Sequence, residues 1–303
     1  MNHATHAMLQ RKVGELGNLP AMPSILQSLG ECFSVSPSEI NIERVTELIS
    51  YDKSLAAQCL RITNSALFRR RVDAQSVHEA VQALGIQRVR DVVYSCSLPK
   101  LFANAKEGMP PDTFWRHALG TALISQHLAR FLAVENVEKL YLAGLLHDIG
   151  ILVNSLLFPD DFQRVLDTAR TSETPLCEVE QEVLGFTHCD SGRVLADIWK
   201  LPLDLAGTIE FHHCPSAGAT DIEMTSVVYL ADLLCRLRGL GYGYYEAREF
   251  DLASEAPWQV LQKKHPAAAA GLDLARFTFE LDQYAIEVQA LVNSIFGIGG
   301  TPQ

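Results

Sequence analysis

The chain has 303 residues, of which 48% are hydrophobic, 20% charged and 8% aromatic; this is enough apolar material for one large core or two smaller ones, and too much for a disordered or collagen-like chain. With 25 basic residues against 36 acidic ones the net charge is -11, which repels phosphate backbones and, without a basic stripe, argues against a dedicated nucleic-acid binder. The opening residues MNHATHAMLQRKVGELG lack the apolar centre of a signal peptide, and no charge-free apolar run reaches the roughly 18 residues of a membrane span, so a cytosolic protein without a membrane partner is expected.

Apolar residues recur at intervals of three and four along most of the chain and no stretch alternates as a strand would, so the expected fold class is all-α. Residues 1–15 read as an N-terminal tail and 16–102 as a first helical part. In that part, Leu19-Pro-Ala-Met-Pro-Ser24 carries prolines suited to a first helical turn, and helices are expected over 41–50, 54–64, 76–84 and 86–98. The Gly- and Pro-marked stretch 103–111 (ANAKEGMPP) reads as a connection, and 112–240 as a second helical part. Residues 241–303 form a C-terminal extension with an alanine-rich joint at 265–271. Beyond the joint, Leu274, Phe277, Leu281, Tyr284, Val288, Leu291 and Ile295 follow a 3-4 spacing that predicts one long amphipathic helix. Its seam can pack onto its own domain or pair with a second copy of the chain, giving a homodimer.

The seven cysteines include no CxxC pair, which suits free thiols in a reducing compartment. Cys189 and Cys214 each follow a histidine, but neighbours on a helix point about 100° apart, and the core reading is favoured for both over a metal role.

The informative feature is a set of ionisable residues on faces that ought to be apolar. His117 lies within the stripe of Phe114, Thr121, Ile124, Leu128 and Phe131. His147 shares a face with Leu140, Ala143 and Gly144, Asp148 follows it, and Gly150 is expected to end the turn. His188 opens a helix beside the small residues Ser191 and Gly192; His212 and His213 close the helix of Leu205 and Ile209. Asp232 is the only charge in VVYLADLLC. Burying such a carboxylate unpaired costs several kcal/mol, so it requires a cation, a set of hydrogen bonds or a raised pKa. Any one of these residues is ordinary as a hydrogen-bonded core group. Five histidines and two aspartates on inner faces together point to a metal, with nitrogen and oxygen donors suited to Fe, Mn, Zn, Ni or Co.

The segments HALGTAL, LLHDIG, FTHCDSG and EFHHCP, followed by Asp232, resemble the HD superfamily of metal-dependent phosphohydrolases. The preceding LPAMPSIL, LISYDKSLAAQCLRITNSALF and EAVQALGIQRVRDVV resemble more specifically the HDOD family, the HD-related output domains of bacterial signalling. The likeness covers residues 14–240 and implies an HD-like helical bundle with an N-terminal helical subdomain. It also implies one metal held by His117, His147, Asp148 and Asp232. As in the binuclear branch that includes HD-GYP cyclic di-GMP phosphodiesterases, Asp148 would bridge to a second metal held by His188, His212 and His213. One or two divalent transition-metal ions are implied, with Fe or Mn favoured and Ni, Zn or Co also suitable.

The implied function is a bacterial cytosolic regulatory module that engages signalling proteins or a small phosphorylated ligand. The alternative is a phosphohydrolase, a phosphodiesterase or nucleotidase acting through a metal-bridged hydroxide with Asp148 as the bridging catalytic group. Two departures argue against cyclic di-GMP hydrolysis. Ile151 stands where a lysine often follows HDIG, and HHCPSAG lacks the HHE…GYP continuation, for which Gly241-Tyr-Gly243 comes too late. Arg116, beside His117, and Arg193, about 140° around the helix from His188, are the basic groups available to a substrate phosphate, although each also suits a surface ion pair. The basic run 69–71 reads as a solvated loop, and the helix-turn-helix-like stretch 84–90 carries little weight for DNA binding in so acidic a chain.

Overall fold

A computed structural model describes residues 7–12, 22, 24–32, 39–64, 73–102, 110–172, 174–215, 219–242 and 251–296. Every regular element of more than a few residues among them is an α-helix, as the periodicity predicts. The basic run 69–71 and most of the 103–111 connection lie outside the described residues. The chain divides into two compact units, one of residues 20–103 and 286–303, the other of 1–19 and 104–285.

The first unit contains α1 (Ser24–Cys32), α2 (Ile42–Tyr51), α3 (Lys53–Thr63), α4 (Val77–Leu84) and α5 (Ile86–Leu101). Side-chain caps set three of the starts: Asn41 accepts from the Arg44 N–H at 2.8 Å, Asp52 from Leu55 at 3.0 Å and Ser76 from Glu79 at 3.1 Å. Each satisfies a backbone donor that the first turn leaves without a partner. The Asn64 amide then accepts from the Ala74 N–H at 2.8 Å and donates to the Ala74 carbonyl at 2.9 Å, fastening the end of α3 to the approach of α4. Val45, Ile49, Leu55, Cys59, Ile62, Val81 and Val89 line the core these helices share. Gly85, at φ 80, joins α4 to α5, so the stretch 84–90 is a tight corner whose Val89 is buried.

The second unit contains α6 (Pro111–Leu132), α7 (Val137–Leu146), α8 (Ile149–Leu157), α9 (Pro159–Ser172), α10 (Leu176–Val183), α11 (His188–Ile198), α12 (Leu203–Phe211), α13 (Ile222–Leu237), α14 (Ala256–Lys264) and α15 (Pro266–Ala270). Helix α6 starts on Pro111, whose missing N–H costs nothing in a first turn, and stops at Ala133 in the left-handed region. Phe114, Trp115, Leu119 and Leu128 of α6 are buried, each worth roughly 1.5–3 kcal/mol relative to exposure. Helix α6 packs on α7 and α13, and α11 packs on α8 and α12. Close approach depends on glycine at two of these crossings. A Cβ at Gly144 would lie 2.8 Å from Ala122 Cα, and one at Gly150 would overlap the His188 carbonyl oxygen and sit 2.7 Å from the Gly192 nitrogen.

Gly150 therefore does not end a turn as expected. The turn is His147-Asp148 itself, and Gly150 is the second residue of α8, glycine because the start of α11 presses on it. Residues 137–157 have the length and mean hydropathy, 1.6, of a membrane span, but 89% of that window is buried inside the protein, where it forms core.

Helix α16 (Leu274–Phe296) runs from the second unit into the first. Within the second unit Phe277 stacks on His127, with ring centroids 5.2 Å apart, and Leu281 is buried. Within the first, Val288, Leu291 and Val292 are buried and the Ser294 carbonyl accepts from Arg61 at 3.1 Å. The seam read from the sequence thus packs within its own chain at these positions.

Candidate metal centre

Three helix junctions and two helix faces converge on one point of the second unit. His117 lies on α6, His147 and Asp148 form the joint between α7 and α8, and His188 is the first residue of α11. His212 and His213 follow α12, and Asp232 lies on α13. The junction of α10 and α11 is fixed by a reciprocal cap, in which the Thr187 N–H donates to the Asp190 carboxylate at 2.8 Å while the Thr187 side chain accepts from the Asp190 backbone N–H.

All seven residues are brought together, and Asp148 stands between two groups of them. Its Oδ2 is 3.1 Å from His147 Nε2 and 3.5 Å from His117 Nε2, and the latter is 3.0 Å from Asp232 Oδ1. Its Oδ1 is 3.1 Å from His212 Nε2 and 3.2 Å from His188 Nε2, which lies 3.1 Å from His213 Nε2. His117, His147 and His212 are wholly inaccessible to solvent, and Asp148 is 4% exposed.

The other ring nitrogens decide what this arrangement can do. Nδ1 of His117 faces the Leu240 carbonyl at 3.2 Å, that of His147 the Gly144 carbonyl at 2.7 Å, and that of His212 the Ile209 carbonyl at 2.9 Å. A carbonyl only accepts, so each Nδ1 carries the proton, and in the neutral ring each Nε2 presents a lone pair. With those rings neutral, the buried Nε2 atoms and Asp148 Oδ1 have no hydrogen-bond partner. Acceptors facing acceptors in a water-poor interior cost on the order of 1–3 kcal/mol each, and either protons or cations must resolve them.

The charges show the same tension. Burial works against ionisation of Asp148, but His147 and hydrogen bonds from its neighbouring imidazoles outweigh it and hold the carboxyl well below its usual range. Burial is likewise outweighed at Asp232 by Arg236, with His117 and His147 adding to the effect. Burial would lower the pKa of His147, His188 and His212; nearby negative groups override it, Asp148 at His147, Glu180 at His188, and Cys189 with Asp148 at His212, whose pKa rises to about 10. Burial prevails at His117, which is lowered, and at His213, lowered to about 3 with the help of His212.

The HDOD domain profile matches residues 19–215. The chain belongs to the HDOD family. An HDOD domain protein of unknown function from Geobacter sulfurreducens has a solved structure that superposes with a TM-score of 0.84 at 26% identity, over 97% of this chain and 99% of that one. A structure from Shewanella amazonensis SB2B, named as a candidate phosphohydrolase, gives 0.72 at 22% identity over 95% of this chain and 97% of its own, a likeness of fold. An uncharacterized protein of Treponema pallidum is 23% identical over 223 residues, 73% of this chain and 43% of that protein, so the chain spans less than half the length of this relative.

Several residues around the centre of this HDOD protein were not singled out in the sequence. Glu180 of α10 is fully buried and accepts from His188 Nδ1 at 2.7 Å, from the His188 backbone N–H at 2.8 Å and from the Asn154 amide at 2.9 Å. Its signal was legible, since it shares an apolar helical face with Leu176, Val179 and Val183. Arg236, four residues after Asp232, donates from Nε to Asp232 Oδ1 at 2.8 Å, the ordinary helical ion-pair spacing. Tyr242, in the Gly-Tyr-Gly segment, donates to Asp148 Oδ2 at 2.7 Å and lays its ring 4.5 Å from that of His117.

The two candidate phosphate-binding arginines are occupied differently. Arg193 pairs with Asp197 at 3.0 Å and Glu210 at 2.6 Å, and Arg116 reaches the Gly241 carbonyl at 3.5 Å. Cys214 is exposed, whereas Cys189 Sγ lies 3.9 Å from His212 Nδ1.

Proposed function

We propose that this HDOD protein is a regulatory output module built on a dinuclear divalent-metal centre. His117, His147, Asp148 and Asp232 would hold one ion and Asp148, His188, His212 and His213 the other. The observation that carries this reading is the division of Asp148: its two oxygens face two separate groups of imidazoles, among which the buried Nε2 atoms of His117, His147 and His212 have no hydrogen-bond partner. The nitrogen and oxygen donors suit Fe or Mn, and accommodate Ni, Zn or Co. Such a metal pair supplies an acidified water and a clamp for phosphoryl oxygens.

The chain's own residues favour a binding role over turnover. Tyr242 covers the His117 side and hydrogen-bonds the central carboxylate, Arg236 is committed to Asp232, and Ile151 offers no cation to a phosphate. The ligand is a signalling protein or a small phosphorylated molecule. Seven free cysteines suit a reducing, cytosolic setting. A second reading, metal-dependent phosphohydrolysis, draws on the same bridging position of Asp148, which is where a two-metal hydrolase places a carboxylate.

Metal analysis of anaerobically purified protein tests the centre, with about two ions per chain expected. A panel of phosphomonoesters and phosphodiesters with Mn, Fe, Ni and Mg separates the readings. No turnover by the metal-replete protein supports the module; turnover that disappears in Asp148→Ala replaces it with the hydrolase.

A further inference from the structure

A second ligand set, chemically softer, lies on the outer side of His188. Cys177 on α10, Cys189 on α11, His188 and His213 each offer one ligand atom, and the four atoms lie within 4.8 Å of one another. Cys177 and Cys189 are twelve positions apart, too far for a CxxC signature; the turn between α10 and α11 brings them together. We infer that Cys177, Cys189, His188 and His213 form a thiolate-imidazole site for a single Zn2+-class ion. The site itself does not depend on the dinuclear reading; only the competition described below rests on it.

The spacing fits a tetrahedral ion. Zinc–nitrogen bonds of about 2.0 Å and zinc–sulfur bonds of about 2.3 Å require ligand separations of about 3.3 Å between two nitrogens and about 3.6 Å between sulfur and nitrogen. His188 Nε2 is 3.1 Å from His213 Nε2, and Cys177 Sγ is 3.9 Å from His188 Nε2, so these two separations lie within a few tenths of an ångström of the tetrahedral values. His188 is oriented by Glu180 at Nδ1, which leaves Nε2 as its free ligand atom. The cysteines and His213 are partly exposed, giving an ion a way in, whereas the Asp148 side is buried.

Two thiolates favour a softer ion than the carboxylate side does. Because His188 and His213 belong to both sets, one ion on the thiolates and a second ion beside Asp148 exclude each other. The outer site therefore selects which metal the centre holds, with zinc displacing the Fe- or Mn-type ion from the His188 half.

The test uses the reduced full chain under anaerobic conditions, titrated with Co2+ alone as a spectroscopic stand-in for zinc. A thiolate-to-cobalt charge-transfer band saturating at about one ion per chain is expected, lost in both Cys177→Ser and Cys189→Ser and erased by Zn2+. X-ray absorption of the zinc-loaded wild type needs no variant and should show two sulfur neighbours at about 2.3 Å. A zinc shell of nitrogen and oxygen only, or a band that persists in both serine variants, overturns the inference. Mn2+ uptake by the Cys177→Ser/Cys189→Ser double variant separates the two readings. Uptake there with no thiolate signal in the wild type overturns only this site; a thiolate signal in the wild type with no Mn2+ uptake by the double variant overturns only the dinuclear centre.

Discussion

Glu180 holds His188 by both its backbone and its ring, accepting from the peptide N–H at 2.8 Å and from Nδ1 at 2.7 Å. One buried carboxylate thus starts α11 and aims the imidazole that opens it. The second oxygen accepts from Asn154 at 2.9 Å, so all the hydrogens facing Glu180 in these contacts come from donors. In Glu180→Gln the new amide places N–H groups where an acceptor is needed, leaving one donor unpartnered at a cost of roughly 1–3 kcal/mol. Metal affinity should fall about 10- to 100-fold as His188 loses its support. Thermal melting of the metal-free protein and a metal titration read the two effects separately. Unchanged affinity would show that His188 does not ligate.

Gly150→Ala tests the crossing that sets the same histidine in place. The added methyl would occupy the position of the His188 carbonyl oxygen, and backbone on both sides leaves no flexible side chain to yield. A destabilisation of about 1–3 kcal/mol is expected, with α8 and α11 forced apart. Gly185→Ala is a useful comparison, because Gly185 has φ 78 and open space around its Cβ position. Its cost is conformational alone, about 1–2 kcal/mol. Only the Gly150 variant should lose metal affinity in step with stability.

These two positions also show where sequence reading reached and where it stopped. His117, His147, Asp148, His188, His212, His213 and Asp232 announced themselves because a polar group on an apolar helical face needs a reason. The all-helical fold followed from the same periodicity, and helix ends came within a few residues wherever Asn, Asp or Ser supplied a cap. Gly150 was misread because glycine after a histidine-aspartate pair looks like a helix stop, and only the packing of α11 reveals a demand for space. Cys177 and Tyr242 carry no periodic signal that marks them as neighbours of the centre; turns place them there. The division into units groups residues 286–303 with 20–103, a long-range pairing that local pattern does not encode.

Protons and cations should compete at Asp148. In the metal-free protein the pKa values of His147, His188 and His212 are raised around a carboxylate held well below its usual range. A metal needs the Nε2 lone pairs and must displace protons from them. Binding should therefore release protons, and affinity should rise with pH up to about 10, where His212 gives up its proton. Calorimetry of Mn2+ binding in buffers of different ionisation enthalpy measures the release. Binding enthalpies independent of buffer would mean that the imidazoles were already neutral or do not bind the ion.

The bridging role proposed for Asp148 makes a stoichiometric prediction that a single-metal site cannot imitate. His117, itself beside Asp232, faces Oδ2, His212 faces Oδ1, and Asp148 faces both groups. His117→Gln should remove one ion and leave the His188 half loaded, and His212→Gln should do the reverse. Asp148→Asn keeps the shape of the side chain but removes its charge and half of its acceptor capacity, so both ions should be lost or weakened together. Metal content after dialysis against a metal-buffered solution gives the count for each variant. If His117→Gln and His212→Gln each abolish all binding, the residues hold one ion between them, and Asp148 is a shared ligand of a mononuclear site.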